Sequence, residues 1–187
     1  MSLSRILYTL LIFAATWCGY YLMDNAHKAD IQVTPNLELP TFSGNTLSNT
    51  SYGTKGIRNY EITSLHLDYY AKSGNTIFEK PILRIYQNGK IIEWKIVAEK
   101  GILTSNKILT LYDNVIANNL LADSSFDSMK AARLSINLIN RHFWTETKVS
   151  LQGPQFQTMG QAMKGNFADQ KALLYNHVQG KYENITP

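Results

Sequence analysis

From about residue 60 onward, hydrophobic and polar positions alternate with period two. In WKIVA, Trp94, Ile96 and Ala98 fall on one side; in ILTLYDNV, Leu109 and Leu111 do; in RLSINLIN, Leu134, Ile136 and Leu138 do. That period belongs to half-buried β-strands. Polar turn residues separate the runs: Ser73-Gly74-Asn75, Asn88-Gly89, Ser105-Asn106-Lys107, Asn140-Arg141 and Asp169-Gln170. YQNGKII carries the strongest hairpin signal, because both central residues of a type I′ turn take positive φ. The stretch DSSFDSMKAARL reads as a loop entering a strand.

The strand units recur at a regular interval. Ala98 precedes Val115 by 17 residues, Ala132 precedes Val149 by 17, and Leu65 precedes Ile82 by 17. One such unit cannot bury its own apolar face, so the units must stack or curl around a shared interior. The pattern predicts an all-β domain over residues 56–187, with regular structure beginning near Tyr60.

Two segments precede it. Residues 6–23, from Ile6 to Met23, carry no charge. As a helix they cover roughly 27 Å, close to the hydrocarbon thickness of a bilayer. Trp17, Tyr20 and Tyr21 crowd the far end, where amphipathic rings favour the headgroup layer. No A-x-A-like pair closes the run, so a retained anchor is expected rather than a cleaved signal peptide. Arg5 before the run and Asp24 after it favour a cytoplasmic residue 1–5 segment and an exported remainder. Residues 24–55 are rich in Ser, Thr, Asn, Gly and Pro and read as a polar connector with a partly ordered edge.

Composition narrows the function. There are 18 Lys and Arg against 14 Asp and Glu, a net charge of +4, and these cations are scattered. A nucleic-acid binder concentrates them on one face, so no nucleic-acid partner is expected. The single cysteine, Cys18, lies inside the apolar run and excludes an intrachain disulfide. Catalytic signatures are absent: there is no HExxH, Walker A, GxGxxG or GxSxG. His27, His66, His142 and His177 are far apart, and only His66 has a carboxylate, Asp68, on the same strand face. No enzyme, metal or cofactor is expected. Aromatics such as Tyr60, Tyr86, Trp94, Phe143 and Trp144 fit a sugar-stacking platform or an ordinary β core, and sequence does not separate the two.

The stretches Y60-E-I, D68-Y-Y, F78-E-K-P81, W94-K-I-V-A98, L109-T-L-Y112-D-N-V115, L151-Q-G153 and M163-K-G-N166 stand together in one order. With the N-terminal anchor they resemble the LptC family of lipopolysaccharide export proteins; LxLYxxV alone marks only the wider family of periplasmic lipopolysaccharide carriers. The resemblance implies a twisted antiparallel β-jellyroll of two sheets, V-shaped in section, behind one transmembrane helix in the bacterial inner membrane. It implies three partners: lipopolysaccharide, the membrane subunits of an inner-membrane ABC transporter, and a soluble periplasmic carrier of like fold. A glycine is more usual where Asp113 follows Tyr112, so the turn there is expected to differ.

By parity, the expected lining of a lipid groove is Phe78, Leu83, Ile85, Trp94, Ile96, Leu109, Leu111, Leu134, Ile136 and Leu138. A closed sandwich core would use the same residues. Ile82 competes with Leu83 and Ile85 for the inward face, since a one-residue slip inverts a strand. The resemblance adds Ala172 near the carrier-facing end and puts Phe78 nearer the membrane. It also assigns Gly56, Tyr60 and Ile62 to an N-terminal edge facing the transporter. Tyr175, Val178 and Tyr182 fall on a C-terminal edge facing the carrier. Gly56 and Gly153 match family glycines, expected at bends of the backbone. A bitopic scaffolding protein without lipid cargo, or a tethered enzyme acting on envelope glycans, are the competing readings.

Overall fold

A computed structural model describes residues Ala14, Thr16, Trp17 and 38–182, apart from Asp123 and Ser125. The expected membrane segment 6–23 lies outside the described residues except for Ala14, Thr16 and Trp17, which are helical. Among the described residues no helix is long and apolar enough to cross a membrane.

The described chain from Phe42 onward is antiparallel β throughout. Its strands are β1 Phe42–Tyr52, β2 Arg58–Tyr70, β3 Asn75–Glu79, β4 Ile82–Gln87, β5 Ile91–Val97, β6 Lys100–Leu103, β7 Ile108–Asn119, β8 Ser128–Asn137, β9 His142–Thr145, β10 Val149–Gln152, β11 Phe156–Gly160, β12 Ala162–Asn166, β13 Lys171–Tyr175 and β14 Gln179–Tyr182. Pairing arranges them as nine rungs among the described residues: β1, β2, β3 with β4, β5 with β6, β7, β8, β9 with β10, β11 with β12, and β13 with β14. At about 4.8 Å per rung the stack is roughly 40 Å long.

Each rung crosses a seam between two leaves. The first half of β2 pairs with β4 and its second half with β3; β7 pairs with β6 through its first half and with β5 through its second. The first leaf therefore contains β4, β5, β10, β11 and β14, and the second β3, β6, β9, β12 and β13. The 17-residue spacing marks this seam: Val115 and Val149, both buried, flank Ala131 in register. In β7 the crossing is a bulge, with Asp113 and Asn114 both at positive φ. Asn and Asp tolerate that conformation because a short polar side chain bonds locally, so the pair does here what a glycine does elsewhere. At the Asn88-Gly89 turn both residues have positive φ, as the hairpin signal requires.

Two expectations are revised. Regular structure begins at Phe42, since β1 pairs with β2 from Phe42↔Tyr69 to Tyr52↔Arg58, interrupted at Thr46, which holds positive φ. FSGNTLSNTSY is polar on both sides because this terminal rung buries little of either face, and a strand of that kind shows no alternation. In consequence β2 is interior, and Tyr60 and Ile62 do not lie on a free edge. Each is paired on both sides, to Ser51 and Ile85 and to Asn49 and Leu83. Among the described residues the free edge at this end is β1, and at the other end the free edges are β13 and β14.

Candidate functional site

The inward side chains form tracks that run along the stack, perpendicular to the strands. In the first leaf Ile62, Leu83, Ile96, Ala117, Met129 and Leu151 lie side by side on six successive rungs. In the second leaf Leu103, Leu109, Ile136, Phe143, Gly165 and Ala172 do the same and end on β13. Every member except Gly165 and Ala172 is buried. Period two gives each strand one apolar face, and antiparallel register lines the faces up.

All ten residues expected by parity point inward and are buried: Phe78, Leu83, Ile85, Trp94, Ile96, Leu109, Leu111, Leu134, Ile136 and Leu138. Ile82 is only partly buried, so Leu83 and Ile85 take the inward face. Ala172 packs against the same cluster on the last rung. Phe78 lies on the third rung and Ala172 on the ninth, at opposite ends of the interior.

Sequence reasoning missed what closes this interior. Between Ile85↔Trp94 and Tyr86↔Ile92 the residue Glu93 has no partner and forms a β-bulge. A bulge re-aims a side chain, so Glu93 and Trp94 are both buried although they are neighbours in sequence. Glu93 is not the solvated strand charge that alternation implies; its side chain is 3% exposed. It meets Arg141, from the β8–β9 turn of the opposite leaf: Nη1 donates to Glu93 Oε2 at 3.3 Å, and Nη2 donates to the Tyr86 carbonyl at 3.0 Å. Arg141 itself holds positive φ. The ion pair thus ties the two leaves together across the side opposite the seam.

Beside this tie lies a cavity of about 230 Å³ between the leaves, lined by Tyr60 and Ile85 from one and by Ile136 and Leu138 from the other, with Arg141 at its rim. Further along, an aromatic cluster fills the gap: Trp94 meets Phe126 at 5.2 Å and Phe167 at 4.9 Å, and Phe167 meets Phe143 at 4.4 Å. Phe126 and Phe167 come from loops, where alternation gives no signal. Ligand pockets are usually about 300 Å³ or larger. The gap between the leaves is thus smaller than most ligand pockets.

Two carboxylates respond to pH in opposite senses. Burial pushes Glu93 above the usual carboxylate range, against the pull of Arg141. Burial also acts on Glu61, but hydrogen bonds from Ser48 and Tyr86 with the charges of Arg84 and Arg58 together hold it below that range. A raised folded value means stability that is full at low pH and falls as pH rises through it; a lowered one means stability lost as pH falls through it. Glu61→Gln is therefore expected to flatten the acid limb of a melting-temperature profile, and Glu93→Gln to remove the decline above pH 4.5.

The His66–Asp68 contact exists, at 3.2 Å from Nε2 to Oδ1, while Nδ1 meets Asn45 Oδ1 at 2.7 Å. Ser43 Oγ bonds the same carboxylate, so Asp68 stands between serine and histidine. A nucleophile needs its base adjacent; this order gives a polar clasp between β1 and β2. Among the described residues no group of three or more His, Cys, Asp or Glu is placed to hold a metal ion.

The glycines act differently from each other. Gly56 turns the chain from β1 into β2 at φ 70° with open space around it. Gly153 lacks positive φ; a Cβ there would lie 2.2 Å from the Phe156 ring, so close approach, not a bend, is what requires glycine. On the C-terminal edge Tyr175 is half-buried, Val178 is exposed, and Tyr182 is exposed with its ring 6.3 Å from that of Phe156. Exposed Lys164 and Lys171 line an outer concavity beside Trp144 and Leu173 on the same end.

The family model described as lipopolysaccharide-assembly, LptC-related matches residues 8–183. This chain belongs to the LptC family. The lipopolysaccharide export system protein LptC of Escherichia coli K12 is 31% identical over 84% of this chain and 83% of its own length. That of Haemophilus influenzae is 27% identical over 95% and 92%. Among solved structures, LptH, the LptA-homologous periplasmic component of the lipopolysaccharide transport device of Pseudomonas aeruginosa, superposes with a TM-score of 0.53. It covers 67% of this chain and 95% of its own, at 8% identity. That likeness fixes the fold as the LptA-like β-jellyroll.

Proposed function

We propose that this LptC-family chain is the non-enzymatic lipopolysaccharide-binding component of the envelope transport bridge. It takes lipopolysaccharide from an inner-membrane ABC transporter and passes it to a soluble periplasmic carrier of the same fold. Residues 6–23 anchor it in the inner membrane, 1–5 stay in the cytoplasm, and the β domain stands in the periplasm. The observation that carries this reading is the apolar track from Leu103 to Ala172, which reaches the free β13 edge without a charged residue.

The energetics favour such a track. An acyl chain of about twelve carbons exposed to water costs about 0.8 kcal/mol per methylene, near 10 kcal/mol in all. An interior lined by inward strand residues removes that cost while sugar and phosphate stay wet. Parting the leaves at the Arg141–Glu93 tie gives the chains entry along the side, and Lys164 and Lys171 stand outside the C-terminal end to meet phosphate.

Handover uses the strand edges. Soluble proteins guard free edges because these pair with other chains. Here β1 at one end, and β13 with β14 at the other, supply edges for β-augmentation; β1 faces the transporter and the Tyr175–Tyr182 region faces the carrier.

The packed interior favours one second reading, a scaffold that recruits partners and holds no lipid. Saturable binding of lipopolysaccharide to the full chain in detergent micelles separates the two. Binding at one or a few sites, lost on Ile136→Asp, supports the lipid route; no binding above a micelle-only control leaves the scaffold.

A further inference from the structure

Four buried side-chain polar atoms have no hydrogen-bond partner among the described residues: Arg58 Nε, Ser64 Oγ, Trp94 Nε1 and Asn119 Nδ2. The last two are donors that sit together. Trp94 on β5 and Asn119 on β7 are register partners, directly opposite each other. Side chains so placed have Cβ atoms about 4.5–5.5 Å apart. Trp94 is fully buried, and its ring lies between Phe126 and Phe167, neither of which offers an acceptor. The Asn119 amide has a fixed orientation, because its Oδ1 accepts from the Leu121 N–H at 3.0 Å; a flip would set donor against donor. Its Nδ2 is therefore the atom left over.

Native interiors leave few donors unpaired, and each one costs about 1–3 kcal/mol. Two donors side by side, on one inward row among largely apolar side chains, mark a place where an acceptor belongs. Methylenes cannot supply one. The inward row that holds them continues through Ile85 on β4 to Tyr60 on β2, which line the 230 Å³ cavity.

We propose that Trp94 and Asn119 form a polar step that binds the carbonyl oxygen of an acyl ester or amide, with the first methylenes of that chain lying over Ile85 in the cavity. The step rests on the lipid-binding reading above and deepens it. It gives the interior a preferred resting place for the junction between chain and headgroup, and it selects carbonyl-linked chains over ether-linked or free hydrocarbon ones.

The test uses the full chain in detergent micelles, with bound lipopolysaccharide displaced by a didodecanoyl glycolipid or by its didodecyl ether analogue. The ester is expected to displace about tenfold better, as one to two neutral hydrogen bonds allow. In Trp94→Phe, which keeps a ring and removes the N–H, the preference should fall to threefold or less. Asn119→Ala offers the same reading if Trp94→Phe fails to fold. With a ¹³C-labelled ester carbonyl, the infrared band should move to lower wavenumber on binding wild type and move less on binding either variant.

Equal displacement by ester and ether overturns the polar step and leaves lipid binding standing. Trp94→Phe that melts lower than wild type yet keeps the full ester preference also overturns it, since the N–H would then be held by structural water. Bound lipopolysaccharide that neither compound displaces also overturns the step; only absence of saturable lipopolysaccharide binding at the outset removes the lipid-binding reading, and the step with it.

Discussion

At neutral pH Arg141→Ala is expected to destabilise the fold by about 2–3 kcal/mol, while Glu93→Gln, which replaces a carboxylate whose charge burial opposes, is expected to leave stability unchanged or slightly raised. The asymmetry follows from burial. Removing one partner of a buried pair leaves an uncompensated charge, which costs about 3–5 kcal/mol when both are buried. Here the Glu93 side chain is 3% exposed and that of Arg141 26% exposed, so the alanine variant strands a carboxylate in the interior, at somewhat below the full cost. Glu93→Gln strands only a cation that water reaches, and glutamine still accepts from it. The double variant should recover most of the loss, with a coupling of about 1–2 kcal/mol. Denaturant unfolding of the four proteins in one detergent measures this. Equal losses in the two single variants would show that the tie is a surface contact. Because the tie joins the leaves, Arg141→Ala should also bind lipopolysaccharide faster than wild type.

Filling the cavity should separate stability from binding. Leu138 is buried and lines the 230 Å³ space. Leu138→Trp places its extra volume there and is expected to melt within about 1 kcal/mol of wild type, because overpacking penalties arise where no room exists. The ring then denies cover to three or four methylenes at about 0.8 kcal/mol each. Lipopolysaccharide binding should weaken by about a hundredfold. Leu138→Ala, by contrast, should lose about 2–3 kcal/mol of stability, at the low end for buried leucine because a void is already present. If Leu138→Trp binds as wild type does, the cavity is not on the lipid's path.

Much of this was legible in the residues. Parity put ten side chains on the inner face, because a strand with one buried face leaves no freedom in which residues point in. The 17-residue recurrence falls at the seam to within a residue, since the crossings at Val115, Ala131 and Val149 are spaced by nearly that interval. Departures from period two were illegible for physical reasons. A bulge at Glu93 inserts one residue and turns a charge inward, and nothing in IIEWKIV distinguishes that from a solvated glutamate. β1 was unreadable as a strand because it buries so little. Phe126 and Phe167 enter the core from loops, which have no period. Tyr60 and Ile62 read as an edge in the sequence because β1, which covers them, carries no alternation. The LptC family followed from short motifs whose spacing the rungs impose.

The most direct measurement puts a photo-crosslinking residue at Phe78, Ile136 or Leu138, and at Lys90 in the exposed β4–β5 turn as the control, in the full chain working with its transporter. Lipopolysaccharide adducts are expected at the three inward positions, only while ATP is being hydrolysed, and not at Lys90. Adducts at Lys90 as abundant as those inside, or none at any inward position during active transport, would contradict passage of lipid between the leaves.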